Sequence, residues 1–430
     1  MEKILYTFIV SVIAVLILNK IVFKDIPEKE KQELLKDVQR YKHPIKSISM
    51  EYPDNSDLKV LGSVLKDNRI LMLGENIHYD GATMQAKSRL IKYLHENLGY
   101  SVVLYEAGQY DTWVMNEEMK NNSLKIPSAS IGGVGLFDFW WDNSETQPLI
   151  SYYQKTKTSS HPIELGGFDI QFSGKELYDR RGKLLKDFLS KNSIDLKPFP
   201  LLNKNLNQIS NFMYKGFAGK ILSENQKKDF LNEISRLEQV VSKLKKTPEN
   251  RIYTRYLHDM RNNFDKIWKY KAGSMQSMQF RDSLMAKNLI HQIDSVYQGQ
   301  KIIVWCANLH TFASRYNKDY LPLGAYIKSK YGKASYMVDF SSYAKYNKTG
   351  TPMDKPGKLA IENTFHATKT PYFFINLRNI PESSVLKNEF VSTINQGTDQ
   401  KKVWSQFFDG IFYIDTNTFL TSTNNGKHYY

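Results

Sequence analysis

Cysteine is almost absent from this chain: Cys306 is the only one in 430 residues. That excludes an intrachain disulfide and any CxxC metal or redox site, and with no cysteine near the N-terminus a lipoprotein anchor is not expected. No Walker-type loop and no GxGxxG opens a helix, and Gly132-Gly133-Val134-Gly135 lacks the flanks that a phosphate-binding turn needs. GxSxG is missing, so a serine nucleophile on a strained elbow is excluded. There is no HExxH, and no internal repeat. The formal charge of +15 comes from scattered lysines rather than a basic block interleaved with aromatics, so it reads as a solvated surface and not as a nucleic-acid interface.

What is present suffices for a large core, since 41% of residues are hydrophobic and 13% aromatic. The apolar run Ile4–Leu18 follows Lys3 and is not succeeded by a small-x-small cleavage site. It reads as an uncleaved anchor within residues 1–23. The expectation is therefore attachment to the membrane through this segment, with the rest exported into a bacterial cell envelope. Lys24–Asp57, punctuated by Pro27, Pro44 and Pro53, reads as a tether with one short helix at Lys29–Tyr41. The compact domain is expected from Leu58 to about residue 420, with a loose polar tail over 421–430.

Within that domain, short apolar runs alternate with amphipathic segments. Ile70–Leu73, Ser101–Tyr105, Ile163–Phe168, Lys301–Trp305, Ala334–Phe340, Tyr372–Asn376 and Gly410–Asp415 have strand character. Thr83–Leu98 carries a helical stripe of Met84, Leu90, Ile91 and Leu94, with Gly99 as its C-cap. The spacing from one strand to the next fits parallel βαβ crossovers. Residues from about 174 to 298 read as helical and interrupt the alternation. The predicted fold is α/β: a mostly parallel central sheet flanked by helices, with this large helical insertion capping the carboxyl edge of the strands.

Five ionisable residues follow predicted strands: Glu75, His78, Glu106, Asp169 and His310. Ligand and catalytic groups gather outside the carboxyl ends of such strands. A neutral imidazole can take a proton from water if a carboxylate fixes its tautomer and stabilises the cation formed. His78 with Glu75 or Glu106 meets that requirement, with His310 as a second catalytic candidate. The same glutamates and histidines are also possible ligands for a divalent metal, which stands as the alternative to a cofactor-free site, with a non-enzymatic envelope binding protein as the remaining reading. The aromatic loop Gly135–Trp141 is either core or the wall of a substrate cleft, with Trp141 as its contact. Cys306 reads as a buried structural thiol.

LGENIH with Glu75 and His78, LYEAG with Glu106, GGFDI with Asp169, RDSLMAKN from Arg281, VWCANLH ending in His310 and FDGIFYID near Phe408 together resemble the erythromycin esterase family. All six segments occur in the family's order and span most of residues 60–420. The resemblance implies a hydrolase that activates water with a histidine general base against a small-molecule ester or lactone, the macrolide ring in the known resistance enzymes. It also implies that His78 is the base, that Lys87 stands where the family carries an arginine able to meet an oxyanion, and that Arg281 and Asn308 line the pocket with Asp169. Cys306 and Ala307 depart from the family's alanine and histidine, and Tyr79 from its glycine.

Overall fold

The structure, a computed structural model, describes residues 27–210, 222–346 and 355–423. Its strands are β1 (Lys42–Pro44), β2 (Ile70–Leu73), β3 (Tyr100–Gly108), β4 (Glu164–Asp169), β5 (Lys301–Trp305), β6 (Ser335–Tyr346), β7 (Tyr372–Ile375), β8 (Phe390–Asn395), β9 (Thr398–Lys402) and β10 (Gly410–Thr418). Eight of them form one sheet in the order β1-β7-β10-β6-β2-β5-β3-β4. From β10 to β4 every pairing is parallel, and β7 alone runs against its neighbours β1 and β10. The mostly parallel α/β sheet predicted from the spacing of the apolar runs is therefore what this chain forms.

The pleat of β2 shows why such runs are apolar throughout. Leu71 and Leu73 face one core with Tyr105, Trp305 and Val338, while Ile70 and Met72 face the other with Leu104, Val304 and Met337. A parallel sheet covered by helices on both sides buries both faces of its strands. The helix Gly81–Leu98 packs Met84, Leu90, Ile91 and Leu94 onto the first face and ends at Gly99, whose φ of 71° suits glycine. Each fully buried aliphatic side chain of this kind contributes about 1.5–3 kcal/mol.

The insertion contains the helices Arg181–Lys191, Glu224–Ser242, Pro248–Lys269 and Met275–His291. Ser223 starts the second with a reciprocal capping box to Gln226, and Thr247 and Ser274 cap the next two. The last two helices bring Asn263, Lys266, Ser277 and Arg281 over the carboxyl ends of the strands, where they line a shared cavity.

Several expectations are corrected. The attachment to a membrane, and with it the place in a cell envelope, is not supported: among the described residues no helix is long and apolar enough to cross a membrane. The run Ile4–Leu18 on which that expectation rested lies outside the described residues. The supposed tether belongs to the fold. Its helix, Glu28–Tyr41, buries Leu34 and Val38, and β1 pairs with β7 at the sheet edge. Pro44 is tolerated there because an edge strand has no further ladder to serve. The tail is pinned through residue 423, where Thr421 accepts from Ser144 and Thr423 donates to Asp142. The antiparallel hairpin β8–β9, turning at Gln396 and Gly397, was not expected.

Candidate active site

The sheet order sets the site. β2, β5, β3 and β4 lie side by side, and the residues at their carboxyl ends are Glu75 and His78, then His310, Glu106 and Asp169. Glu106 lies within β3 itself, where the register with β4 slips between Tyr105 and Gly108. The ends of β2 and β5 touch closely. A Cβ on Gly74 would collide with Asn308 Oδ1, so glycine is required there.

Glu75 organises one half of the site. It is fully buried, and its Oε2 receives the ammonium of Lys87, which is also fully buried. Its Oε1 accepts from His78 Nδ1 at 2.9 Å and from Trp140 Nε1 at 3.0 Å. The Lys87 ammonium lies 4.0 Å from the centre of the Trp305 ring, a cation–π contact. Burial pulls Lys87 below its ordinary pKa against the opposing attraction of Glu75. His78 is 35% exposed and stacks on Phe139, with ring centres 4.7 Å apart. With Nδ1 donating to Glu75, its Nε2 carries the lone pair, and His78 lines the cavity.

The other half is a chain of alternating charges. Arg281 donates from Nη2 to Glu106 at 2.7 Å and to Asp169 at 2.6 Å, and from Nε to Asp169 at 3.1 Å. His310 lies between two carboxylates, with Nε2 3.2 Å from Glu106 and Nδ1 3.0 Å from Asp282. Asp282 also accepts from the Tyr320 hydroxyl and the Leu323 amide, at 2.7 and 2.9 Å. Burial works against an imidazolium here, but Asp282 and Glu106 overcome it and raise His310 to about 10. Burial likewise opposes the Glu106 carboxylate, yet His310 and Arg281 hold it well below the ordinary carboxylate range. The two carboxylates on either side of the ring therefore favour the imidazolium form of His310 at neutral pH.

Both halves border one cavity of about 600 Å³, lined by His78, Glu106, Arg281 and His310 together with Phe137, Phe172, Lys266 and Tyr270. Its size is that of a small-molecule site. Three residues expected to contact substrate lie elsewhere. Lys87 is sealed beneath Glu75, so no oxyanion in the cavity meets it directly. Asn308 ties strand ends together, donating to the carbonyls of Phe340 and Ile394 at 2.9 and 2.6 Å and from its amide to that of Glu75 at 2.8 Å. Trp141 packs over Gly132 and Gly133, and the neighbouring Trp140 is the one that reaches Glu75. Asp169 reaches the cavity only through Arg281. Trp140, Asp282 and Lys266 were missed. The Arg281-Asp282 dipeptide on a helix, one carboxylate beside a candidate pocket residue, was the only available hint of Asp282.

The oxygens of Glu75 are taken by Lys87, Trp140 and His78, and those of Glu106 by Arg281, His310 and the Ala307 amide. Among the described residues no three His, Cys, Asp or Glu side chains are grouped to hold an ion. Cys306 is buried, and burial raises its thiol well above the ordinary value.

A family model described as erythromycin esterase matches residues 95–417, a span that begins after His78 and includes Glu106, Asp169, Arg281 and His310. A Bacillus subtilis hydrolase candidate, YbfO, is 24% identical over 415 residues, covering 88% of this chain and 90% of its own. The Escherichia coli erythromycin esterase type II is 21% identical over 410 residues, covering 86% and 95%. A solved structure of a mutant of the erythromycin esterase EreC, in its open conformation, superposes with a TM-score of 0.62 at 13% identity over 88% of this chain and 98% of that one, which shows a shared fold.

Proposed function

This chain belongs to the erythromycin esterase family, and from that premise we propose that it hydrolyses a carboxylic ester or lactone with His78 as the general base. The observation that carries the reading is the 2.9 Å bond from His78 Nδ1 to the buried Glu75, in a histidine that borders the cavity. Glu75 fixes the tautomer, so Nε2 takes a proton from water as that water attacks the carbonyl carbon. The imidazolium formed is stabilised by the same carboxylate, a contribution of about 10²–10⁴-fold for acid–base catalysis of this kind. The proton then passes from Nε2 to the departing alkoxide as the tetrahedral intermediate collapses.

The oxyanion of that intermediate develops in a cavity bordered by Arg281 and His310, both held cationic by the carboxylates around them. Fixed charges in a partly desolvated site stabilise developing charge without having to reorganise. Lys87 acts through Glu75 as a positioning residue. Macrolide lactones are the first substrates to test, alongside simple esters, because a relative carries that activity in its name. Incubation of the purified protein with such a panel, read by mass spectrometry, should show a lactone gaining the mass of one water. A panel left unchanged by concentrated enzyme would refute the hydrolase reading.

A further inference from the structure

The helix Pro248–Lys269 places in the cavity one cation that the charge network does not use. Lys87 and Lys266 are the two buried lysines among the described residues. Lys87 is paired with Glu75. Lys266 is only 8% exposed, and its ammonium makes no hydrogen bond or ion pair among the described residues, yet it lines the cavity. An ammonium largely withdrawn from water, with only the cavity to face, is poorly solvated, and such groups concentrate where a ligand supplies the missing charge.

Its surroundings define that ligand. Asp169 attracts Lys266 but spends its oxygens on three bonds from Arg281. Arg281 repels it, and spends Nη2 and Nε on Glu106 and Asp169, leaving Nη1 with a 3.4 Å contact to His310 Nε2. Arg281 and His310 are each tied to carboxylates of the chain, so the one cation of the cavity without a carboxylate of its own is the Lys266 ammonium. That suits one carboxylate rather than a doubly charged phosphate. The aromatic Tyr270, Phe137 and Phe172 and the polar Ser277 line the same cavity, as does His78.

We infer that the cavity receives molecules bearing a carboxylate, with Lys266 as the residue that binds it and the reacting ester lying toward His78. The identity of the ligand as an ester rests on the hydrolase reading; the carboxylate site does not. Lys266 is then a specificity residue, setting which substrates enter rather than how water is activated.

The probes are para-acetoxybenzoate, whose carboxylate is held across a rigid ring from the ester, and its neutral methyl ester. Calorimetric binding of the products, para-hydroxybenzoate and methyl para-hydroxybenzoate, supplies a readout independent of turnover. The wild type should bind the anion in preference to the neutral molecule. Lys266→Gln should lower the anion-to-neutral affinity ratio by about tenfold or more, and Lys266→Arg should keep it within about threefold of wild type. Removing an unpaired buried charge should not lower stability, so Lys266→Gln is expected to fold. An unchanged ratio in Lys266→Gln, or no binding of the anion by the wild type, would overturn the inference. Lys266-dependent binding without hydrolysis of either ester would refute the hydrolase reading and leave the carboxylate site standing. Hydrolysis that ignores the ligand's charge would do the reverse.

Discussion

Replacing Lys87 with methionine separates two roles for one positive charge: contact with the oxyanion, which the sequence suggested, and support of Glu75 from beneath, which the geometry indicates. Both members of the Lys87–Glu75 pair are fully buried. Breaking a pair of this kind by removing one member typically costs about 3–5 kcal/mol, because the other charge is left stranded. That is a large fraction of the roughly 5–15 kcal/mol that holds a typical native protein together. The stranded carboxylate can avoid the cost only by taking up a proton, and it then no longer stabilises an imidazolium at His78. Lys87→Met should therefore lose about 3–5 kcal/mol in urea unfolding and about 10²–10⁴-fold in kcat, with KM little changed. The double variant Lys87→Met/Glu75→Gln removes both charges, so stability should return to within about 1–2 kcal/mol of wild type while activity stays lost. A direct oxyanion contact predicts the opposite pattern: a loss of activity with stability intact. Unfolding of Lys87→Met within about 1 kcal/mol of wild type would refute the buried-pair argument.

Three further outcomes follow from the same contacts. Trp140→Phe keeps the ring but deletes the donor to Glu75, and should cost about 1.5–3 kcal/mol, as bonds to charged groups do; Trp141→Phe should leave activity near wild type. Assays and melts of both variants check this, and equal effects would contradict the assignment of Trp140. Arg281→Lys cannot bridge Glu106 and Asp169 at once, so kcat/KM should fall by about tenfold or more although the charge is kept; retention of full activity would contradict a geometric role. The His310 contribution has a definite sign with pH. Its folded pKa is raised to about 10. The stabilisation is therefore complete below the unfolded value of about 6.5 and drains away up to about 10, at roughly 1.4 kcal/mol per pH unit. The destabilisation caused by His310→Gln should shrink over that window. Taking the difference between the two proteins cancels other titrating groups, including Lys266. A gap independent of pH would show that His310 is not held as a cation.

Legibility in the sequence followed burial. Ile302–Trp305 and Ile70–Leu73 are apolar at every position because both faces of a parallel strand are covered, and their ends located Glu75, His78 and His310. β1 was invisible because Lys42-His43-Pro44 buries almost nothing and owes its pairing to β7. The turn of β8–β9 did leave a trace in Gln396-Gly397, both at positive φ, but five polar residues in β9 concealed the strand. Side-chain aim was the harder matter. Two adjacent tryptophans in a loop carry no period to say which one turns inward, and only the turn Asp138–Trp140 decides it. Lys87 and Lys266 both sit in helices where a lysine ordinarily marks a wet face. Only the packing around them shows that one is sealed against a carboxylate and the other opens onto a cavity.

The central claim is that His78 activates water, and the most direct measurement is kcat/KM for a hydrolysed ester in His78→Asn against wild type. Asparagine roughly preserves size and can still meet Glu75, but has no basic nitrogen. The account predicts a fall of about 10²–10⁴-fold with urea stability nearly unchanged. Equal turnover in the two proteins would contradict it.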